Sequence, residues 1–248
     1  MKLTVVGCAG SYPAPDSPCS CYLVEADGVR VLLDLGSGAL GSLQHHTDLG
    51  AIDAVVLSHL HADHCLDLCA YFVYRNYHPE GRLPLLPVWG PEGTAARLSR
   101  AYDIAGEPGL TEAFSFHDVR PGVFEIGPFR FTAGHVNHPV ESFAYRIEAD
   151  GTNLVYSGDT GESDTLVEIA RDTELLLCEA SFVDGRDTYP DVHLNGREAG
   201  EHAERAGARR LVLTHIPEWT DGEHNLADAR KAYSGTADLA RPGAVYEV

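Results

Sequence analysis

The chain has 248 residues, 44% of them hydrophobic, enough to bury the core of one large domain or two small ones. Its 18 lysines and arginines stand against 37 aspartates and glutamates, a formal charge of -19 at pH 7; with no basic stripe to track a phosphate backbone, a dedicated nucleic-acid binder is disfavoured. Thirteen histidines against one methionine favour metal chemistry, and with no secretory leader and no apolar run of about 18 residues the chain reads as soluble and cytoplasmic.

Strand signals open the chain at Leu3 to Gly7, Cys21 to Glu25 and Val29 to Leu33, followed by a helix from Gly38 to His45. Between them lies "LGSGALG", whose Gly36, Gly38 and Gly41 match G-x-G-x-x-G. A dinucleotide fingerprint needs a second parallel strand ending in an acidic ribose contact. Here the next strand, Ile52 to Ser58, ends in histidines, so the glycines read as a turn with close helix packing, and Asp34 is free to orient a neighbour.

That strand delivers "SHLHADH". His59 and His61, two apart on an extended loop, project to one side, whereas Asp63 and His64 turn into the following helix and face a neighbouring point. Two adjacent metal sites result. Imidazoles with a carboxylate suit zinc, manganese or iron, and a metal pair about 3.5 to 4 Å apart is a hydrolytic device.

Cys65 to Tyr77 reads as a helix, Leu85 to Trp89 as a strand and Pro91 to Tyr102 as a helix opened by proline, ahead of a glycine- and proline-rich stretch at Gly106 to Pro108. Cys65 and Cys69 lack the second half of a zinc site and read as packing; the six cysteines are too sparse for a disulfide scaffold and are expected reduced. Tyr71, Tyr74, Arg75 and Tyr77 crowd the same helix, where a core or solvated-face role is preferred over stacking on a base. His78 and His117 receive no role.

Strands resume at Phe114 to Val119, Gly122 to Ile126, Phe129 to Ala133, Ser142 to Ala149 and Asn153 to Ser157. A helix at Asp164 to Arg171, a strand at Glu174 to Glu179, a helix at Asn195 to Ala206 and a strand at Arg209 to Thr214 follow. Each half runs from strands into mixed strand and helix with no linker, which predicts two similar layers in one domain over residues 1–248. Four side chains cannot complete two metal sites, so His138, Asp159 and His215, all at strand ends, are the further candidates. Asp159 suits a bridge, because a carboxylate can offer one oxygen to both cations, and His135 competes with His138.

"SHLHADH", His138, "SGDTG" and "LTHI", in this order, resemble the metallo-β-lactamase superfamily, which implies an α/β fold, the four-layer αββα sandwich, over nearly the whole chain. This fold hosts many chemistries, so the motif does not imply a substrate. The stretch from "LLLCEAS" to "LTHIPEW" resembles the ribonuclease Z and cyclic-phosphodiesterase branch, whose Glu–His pair maps onto Glu179 and His193. The pair implies a proton donor to a leaving alkoxide, worth about 100- to 10,000-fold in rate. Ribonuclease Z itself fits less well. Only 20 residues separate His138 from Asp159, too few for its tRNA-grasping arm, and "GSYPAPDSPCSCYLV" carries no Arg or Lys.

The runs "PDSPCSCYLVEADGVRVLLDLGSGALGSLQ", "LSHLHADHCLDLCAYFVYRNYHP", "HPVESFAYRIE" and "LVLTHIPEWTD" are similar to atypical class II cyclic-AMP phosphodiesterases of actinobacterial type. The resemblance implies hydrolysis of 3',5'-cyclic AMP to AMP by a hydroxide held between two divalent cations, zinc foremost with manganese or iron as alternatives. The ligands would be His59, His61, Asp63, His64, His138, Asp159 and His215, with His193 protonating the 3' oxygen and Asp63 also orienting the hydroxide. Asp34 and Ser157 are the candidates to orient ligating histidines. A small cyclic nucleotide is thus the expected partner, no membrane is, and dimers are common in this branch. A ribonuclease Z-like endonuclease acting on tRNA 3' ends, and a thioesterase or lactonase of the same fold, are the alternatives.

Overall fold

Short strands, most of them buried on both faces, build the protein. The computed structural model describes residues 1–104 and 109–248, so the stretch Gly106 to Pro108 lies outside the described residues. The first half contributes β1 (Lys2–Gly7), β2 (Cys21–Ala26), β3 (Val29–Leu33), β4 (Ala54–Val56), β5 (Leu86–Gly90) and β6 (Phe114–Asp118). The second half contributes β7 (Gly122–Ile126), β8 (Phe129–Val136), β9 (Ser142–Ala149), β10 (Thr152–Tyr156), β11 (Leu175–Glu179), β12 (Arg210–Thr214) and β13 (Thr236–Leu239). A last strand, β14 (Val245–Glu247), crosses back to pair with β1, which gives sheet orders β14-β1-β2-β3-β4-β5-β6 and β13-β12-β11-β10-β9-β8-β7.

Each sheet begins with antiparallel pairs and ends in parallel ones: β3 to β6 run parallel in the first sheet, β10 to β13 in the second. Inward positions such as Val5, Tyr22, Val31 and Val56 meet Phe129, Phe131, Phe143 and Tyr145 from the facing sheet. The intervening positions point the other way. Leu23, Leu32, Val55 and Leu57 lie under α1 (Ala39–Leu43), α2 (Ala62–Cys65), α3 (Leu68–Asn76) and α4 (Thr94–Ala101). Val155, Leu176 and Leu213 lie under α5 (Asp164–Ile169), α6 (Gly196–Ala206) and α7 (Gly222–Ala232). Strands buried on both faces explain why their sequences read as continuous apolar runs, and each buried Leu or Val contributes about 1.5–3 kcal/mol. The four-layer αββα arrangement is as expected.

Two stretches depart from expectation. The helix Cys65 to Tyr77 is two helices, because the main chain at Leu35 cuts across it, donating its amide to the His64 carbonyl and accepting the Asp67 amide. After His215 the chain forms α7, β13 and β14, a stretch to which no element was assigned above. In α3, Tyr71 and Arg75 are buried and donate to the carbonyls of Leu49 and Pro84; this helix packs in the outer layer, so its aromatics are framework. All six cysteines are free, Cys65 buried against the His61 carbonyl. Among the described residues no helix is long and apolar enough to cross a membrane.

Candidate metal centre

Both sheets present the carboxyl ends of their parallel strands at one rim, the usual place for a site in such folds. Asp34 follows β3, the segment Ser58 to Cys65 follows β4, Asp159 follows β10, Ser181 follows β11 and His215 follows β12, while His138 sits in the turn between β8 and β9. His59, His64, Asp159, Glu179 and His215 are buried there. Two glycines make the approach possible. A Cβ on Gly36 would strike the carbonyl of Asp63, and one on Gly10 that of His215, so two backbones touch where side chains would not fit.

The histidines and carboxylates fall into two adjoining groups, His59 with His61 and His138, and Asp63 with His64, Asp159 and His215, and a third, Glu179 with His193, shares His215 with the second; within each the candidate ligand atoms lie within 4.8 Å of one another. Asp159 reaches towards both. Its Oδ2 is 3.7 Å from His59 Nε2 in the first group, and 3.3 Å from His64 Nε2 and 3.5 Å from His215 Nε2 in the second. Oδ1 of the same carboxylate is buried without a partner. Protein interiors rarely leave a carboxylate oxygen so, unless a cation belongs beside it.

Hydrogen bonds at the far side of each ring fix which nitrogen faces inward. Ser58 Oγ donates to Asp34 Oδ2 at 2.8 Å and so accepts from His59 Nδ1 at 3.0 Å. Ser181 Oγ donates to the His215 carbonyl at 2.6 Å and accepts from His215 Nδ1 at 2.8 Å. His64 Nδ1 donates to Asp34 Oδ2 at 2.7 Å, and His138 Nδ1 to the Val192 carbonyl at 2.8 Å. Four Nε2 atoms are therefore left to converge, as in histidines held for metal ligation. His64 Nε2 and His215 Nε2 stand 3.1 Å apart, and His61 Nδ1 lies 3.0 Å from His59 Nε2 and 3.2 Å from His138 Nε2. Lone pairs meeting at such distances require a proton or a cation between them, so the clusters are able to bind divalent metal ions.

The titration behaviour agrees. Burial, then the neighbouring imidazoles, holds His59 well below the ordinary histidine value, and burial lowers His61 and His138 as well. Burial opposes charge on His64 too, but Asp159 and Asp34 outweigh it and draw a proton onto the ring. Burial likewise opposes charge on Asp159 and Asp63, yet the surrounding histidines hold both well below the carboxylate range. A cation would take the place of the proton on His64.

Next to these groups, Glu179 is buried and receives three donors: the Thr160 amide at 2.9 Å and His193 Nδ1 at 2.8 Å on Oε1, and the Ser181 amide at 3.1 Å on Oε2. Burial works against a charged His193, but Glu179 and then Asp159 lift its pKa to about 9. His193 is only two residues ahead of Asn195, whose side chain caps α6 in a reciprocal bond with Glu198, so a well-formed helix start fixes its backbone. The site residues foreseen from sequence are all brought together here.

His138 is the histidine of the β8–β9 turn that joins the cluster; His135 is exposed on β8 against Phe143. Ser157 does not orient a histidine, contrary to expectation. Its hydroxyl donates to the Gly158 carbonyl and accepts the Glu179 amide, placing it under the Glu–His pair. Ser58 and Ser181 hold the histidines instead, each signalled only by its position beside a strand-end candidate. Asp34 does orient His64 and also takes the Tyr156 hydroxyl at 2.6 Å.

Residues 29–216 match the family model described as the beta-lactamase superfamily domain. An uncharacterized protein of Mycobacterium leprae is 42% identical, the match covering 100% of this chain and 89% of that protein. The probable metallo-hydrolase YhfI of Bacillus subtilis is 30% identical over 100% of both chains, and its crystal structure superposes with a TM-score of 0.88 at 29% identity, covering 100% of this chain and 98% of that one. The short form of human tRNase Z (TM-score 0.78, 20% identity, covering 100% of this chain and 99% of that one) shares the fold.

Proposed function

The chain belongs to the beta-lactamase superfamily as a metallo-hydrolase, and from that premise we propose that it hydrolyses a small cyclic phosphodiester, 3',5'-cyclic AMP, to AMP. The pair of buried Glu179 and partly exposed His193, 2.8 Å apart beside two metal-competent clusters, is the observation that carries the reading. His59, His61 and His138 would hold one divalent cation, Asp63, His64 and His215 the other, and Asp159 both. When bound, the cations supply Lewis-acid charge to the phosphoryl oxygens and activate water.

The chain's own groups do the rest. Glu179 accepts the Nδ1 proton of His193, so the second proton of the charged ring sits on Nε2 and can pass to the departing 3' oxygen. Asp63, whose Oδ2 is fixed by the Ser11 amide at 2.9 Å, is the carboxylate that orients the attacking water. Asp34, Ser58 and Ser181 keep the ligating rings from rotating.

Small rather than polymeric substrate is supported by two features. The β8–β9 connection spans only residues 137–141, which leaves no arm to hold tRNA. Glu162, Asp187, Asp191 and Glu198 line the cavity beside His193, a setting that repels a polyanion while paired cations can still receive one phosphodiester. Free thiols suit a reducing compartment, and we place the protein in the cytoplasm.

Incubating the protein, loaded with manganese or zinc, with cyclic AMP, cyclic GMP, 2',3'-cyclic nucleotides and a thioester tests the proposal. AMP release from cyclic AMP is the expected result. Turnover of the thioester alone would overturn it.

A further inference from the structure

Among the described residues, four of the nine exposed large apolar side chains lie at the rim of the site. Tyr12, Val140, Tyr189 and Trp219 all sit on loops that carry a cluster residue or its direct hydrogen-bond partner. Tyr12 follows Ser11, whose amide donates to Asp63 Oδ2. Trp219 lies four residues beyond His215 on a loop that runs beside the first, with Ala9 and Ile216 bridged. The two rings meet at 4.9 Å between centroids, tilted by 36°, and Trp219 remains 62% exposed.

A third loop locks onto this pair. Arg186 donates to Thr220 Oγ1 at 3.0 Å, tying the segment that leads to His193 to the one that bears Trp219. The edge of Phe182 meets the His193 ring at 5.0 Å. An exposed tryptophan fixed by an aromatic neighbour, on loops anchored at both a candidate ligand and the proton donor, is a surface with large area and few rotamers to lose.

We propose that Tyr12 and Trp219 form the platform on which the purine of the substrate stacks while its phosphate lies at the clusters. The inference rests on the phosphodiesterase reading above. Each base offers a π-face to such a ring, and the contact is worth about 5- to 150-fold in affinity. A polyanionic or membrane partner is disfavoured at this rim, because Glu218, Asp221 and Glu223 flank Trp219 in sequence in a chain of net charge -19.

The test combines kinetics with the emission of Trp219; Trp89, packed between His117 and Phe124, serves as the internal reference. In the metal-loaded enzyme, Tyr12→Ala and Trp219→Ala should raise KM for cyclic AMP about 5- to 150-fold with a much smaller change in kcat. KM for a methyl riboside 3',5'-cyclic phosphate, which has no base, should move far less, and Trp219→Phe should recover most of the affinity. AMP should quench Trp219 emission in the parent protein.

Turnover of cyclic AMP with neither a KM shift nor quenching overturns the platform and leaves the proposed reaction standing. Quenching by AMP without any turnover of cyclic AMP supports the platform and removes the reaction. Variants that change the oligomeric state while KM stays fixed would assign this face to a second copy of the chain and overturn the inference.

Discussion

Replacing Asp34 by asparagine probes how much of the metal centre rests on a residue that touches no cation in the proposal. Asp34 is fully buried, and its Oδ2 receives Ser58 Oγ at 2.8 Å, His64 Nδ1 at 2.7 Å and Tyr156 Oη at 2.6 Å, while Oδ1 receives the Ser58 amide at 2.7 Å. Asparagine has one oxygen, so its NH2 group must face a donor whichever way the amide turns. At least one charged hydrogen bond is lost, about 1.5–3 kcal/mol, and a buried donor is left unpaired, about 1–3 kcal/mol more. The metal-free variant should therefore be about 3–5 kcal/mol less stable in urea, against a typical total of about 5–15 kcal/mol. His64 loses the acceptor that fixes its tautomer, so divalent cations should bind about 10- to 100-fold more weakly by chelator competition. Tyr156→Phe removes one donor and leaves the carboxylate; it should cost about 1 kcal/mol with little change in metal affinity. A folded Asp34→Asn protein that binds cations as tightly as the parent would refute this account of the rim.

His193→Gln should lower kcat on cyclic AMP by about 100- to 10,000-fold with metal content unchanged, and a p-nitrophenyl ester, whose leaving group needs no proton, should lose far less; equal losses on both would remove His193 as the donor. Activity should fall on the alkaline side at or below about pH 9, since bound cations lower the His193 pKa from about 9, and Glu179→Gln should move that limb lower still. Because the folded-state pKa lies above the ordinary 6.5, the ion pair's stability is fully present below about pH 6.5 and lost as pH rises through about 9, which urea titrations of the metal-free parent and His193→Gln would show. In the glycine motif, Gly36→Ala should cost about 1–3 kcal/mol and weaken metal binding through Asp63, whereas Gly41→Ala, in α1 with nothing near its would-be Cβ, should stabilise by about 0.5–1 kcal/mol. Equal thermal shifts in the two variants would sink the packing argument.

The clustering of the candidate ligands was legible because strand ends converge in this architecture and four candidates occupy one contiguous loop. Asp34 could be anticipated from its place after a buried strand, but Ser157 could not be told from Ser58 or Ser181: all three lie at strand ends, and only the tertiary path decides which hydroxyl reaches an imidazole. The helix drawn through Leu66 and Asp67 followed a valid local pattern that Leu35, 31 positions before Leu66, interrupts with two hydrogen bonds. The last segment was unreadable for a different reason. β13 and β14 have four and three residues, too few to establish a period. Tyr12 and Trp219 escaped notice because neither ring lies in a periodic element; their meeting is a fact of two loops.

The candidate ligands divide between the halves of the chain. His59, His61, Asp63 and His64 come from the first sheet's side, and His138, Asp159 and His215 from the second. A cation bridged by Asp159 would act as a rivet across the seam, and it could be driven home only after both layers had closed. Metal uptake would then proofread assembly: chains with one layer misfolded would present half a coordination shell, release their cation readily and remain open to proteolysis along that seam.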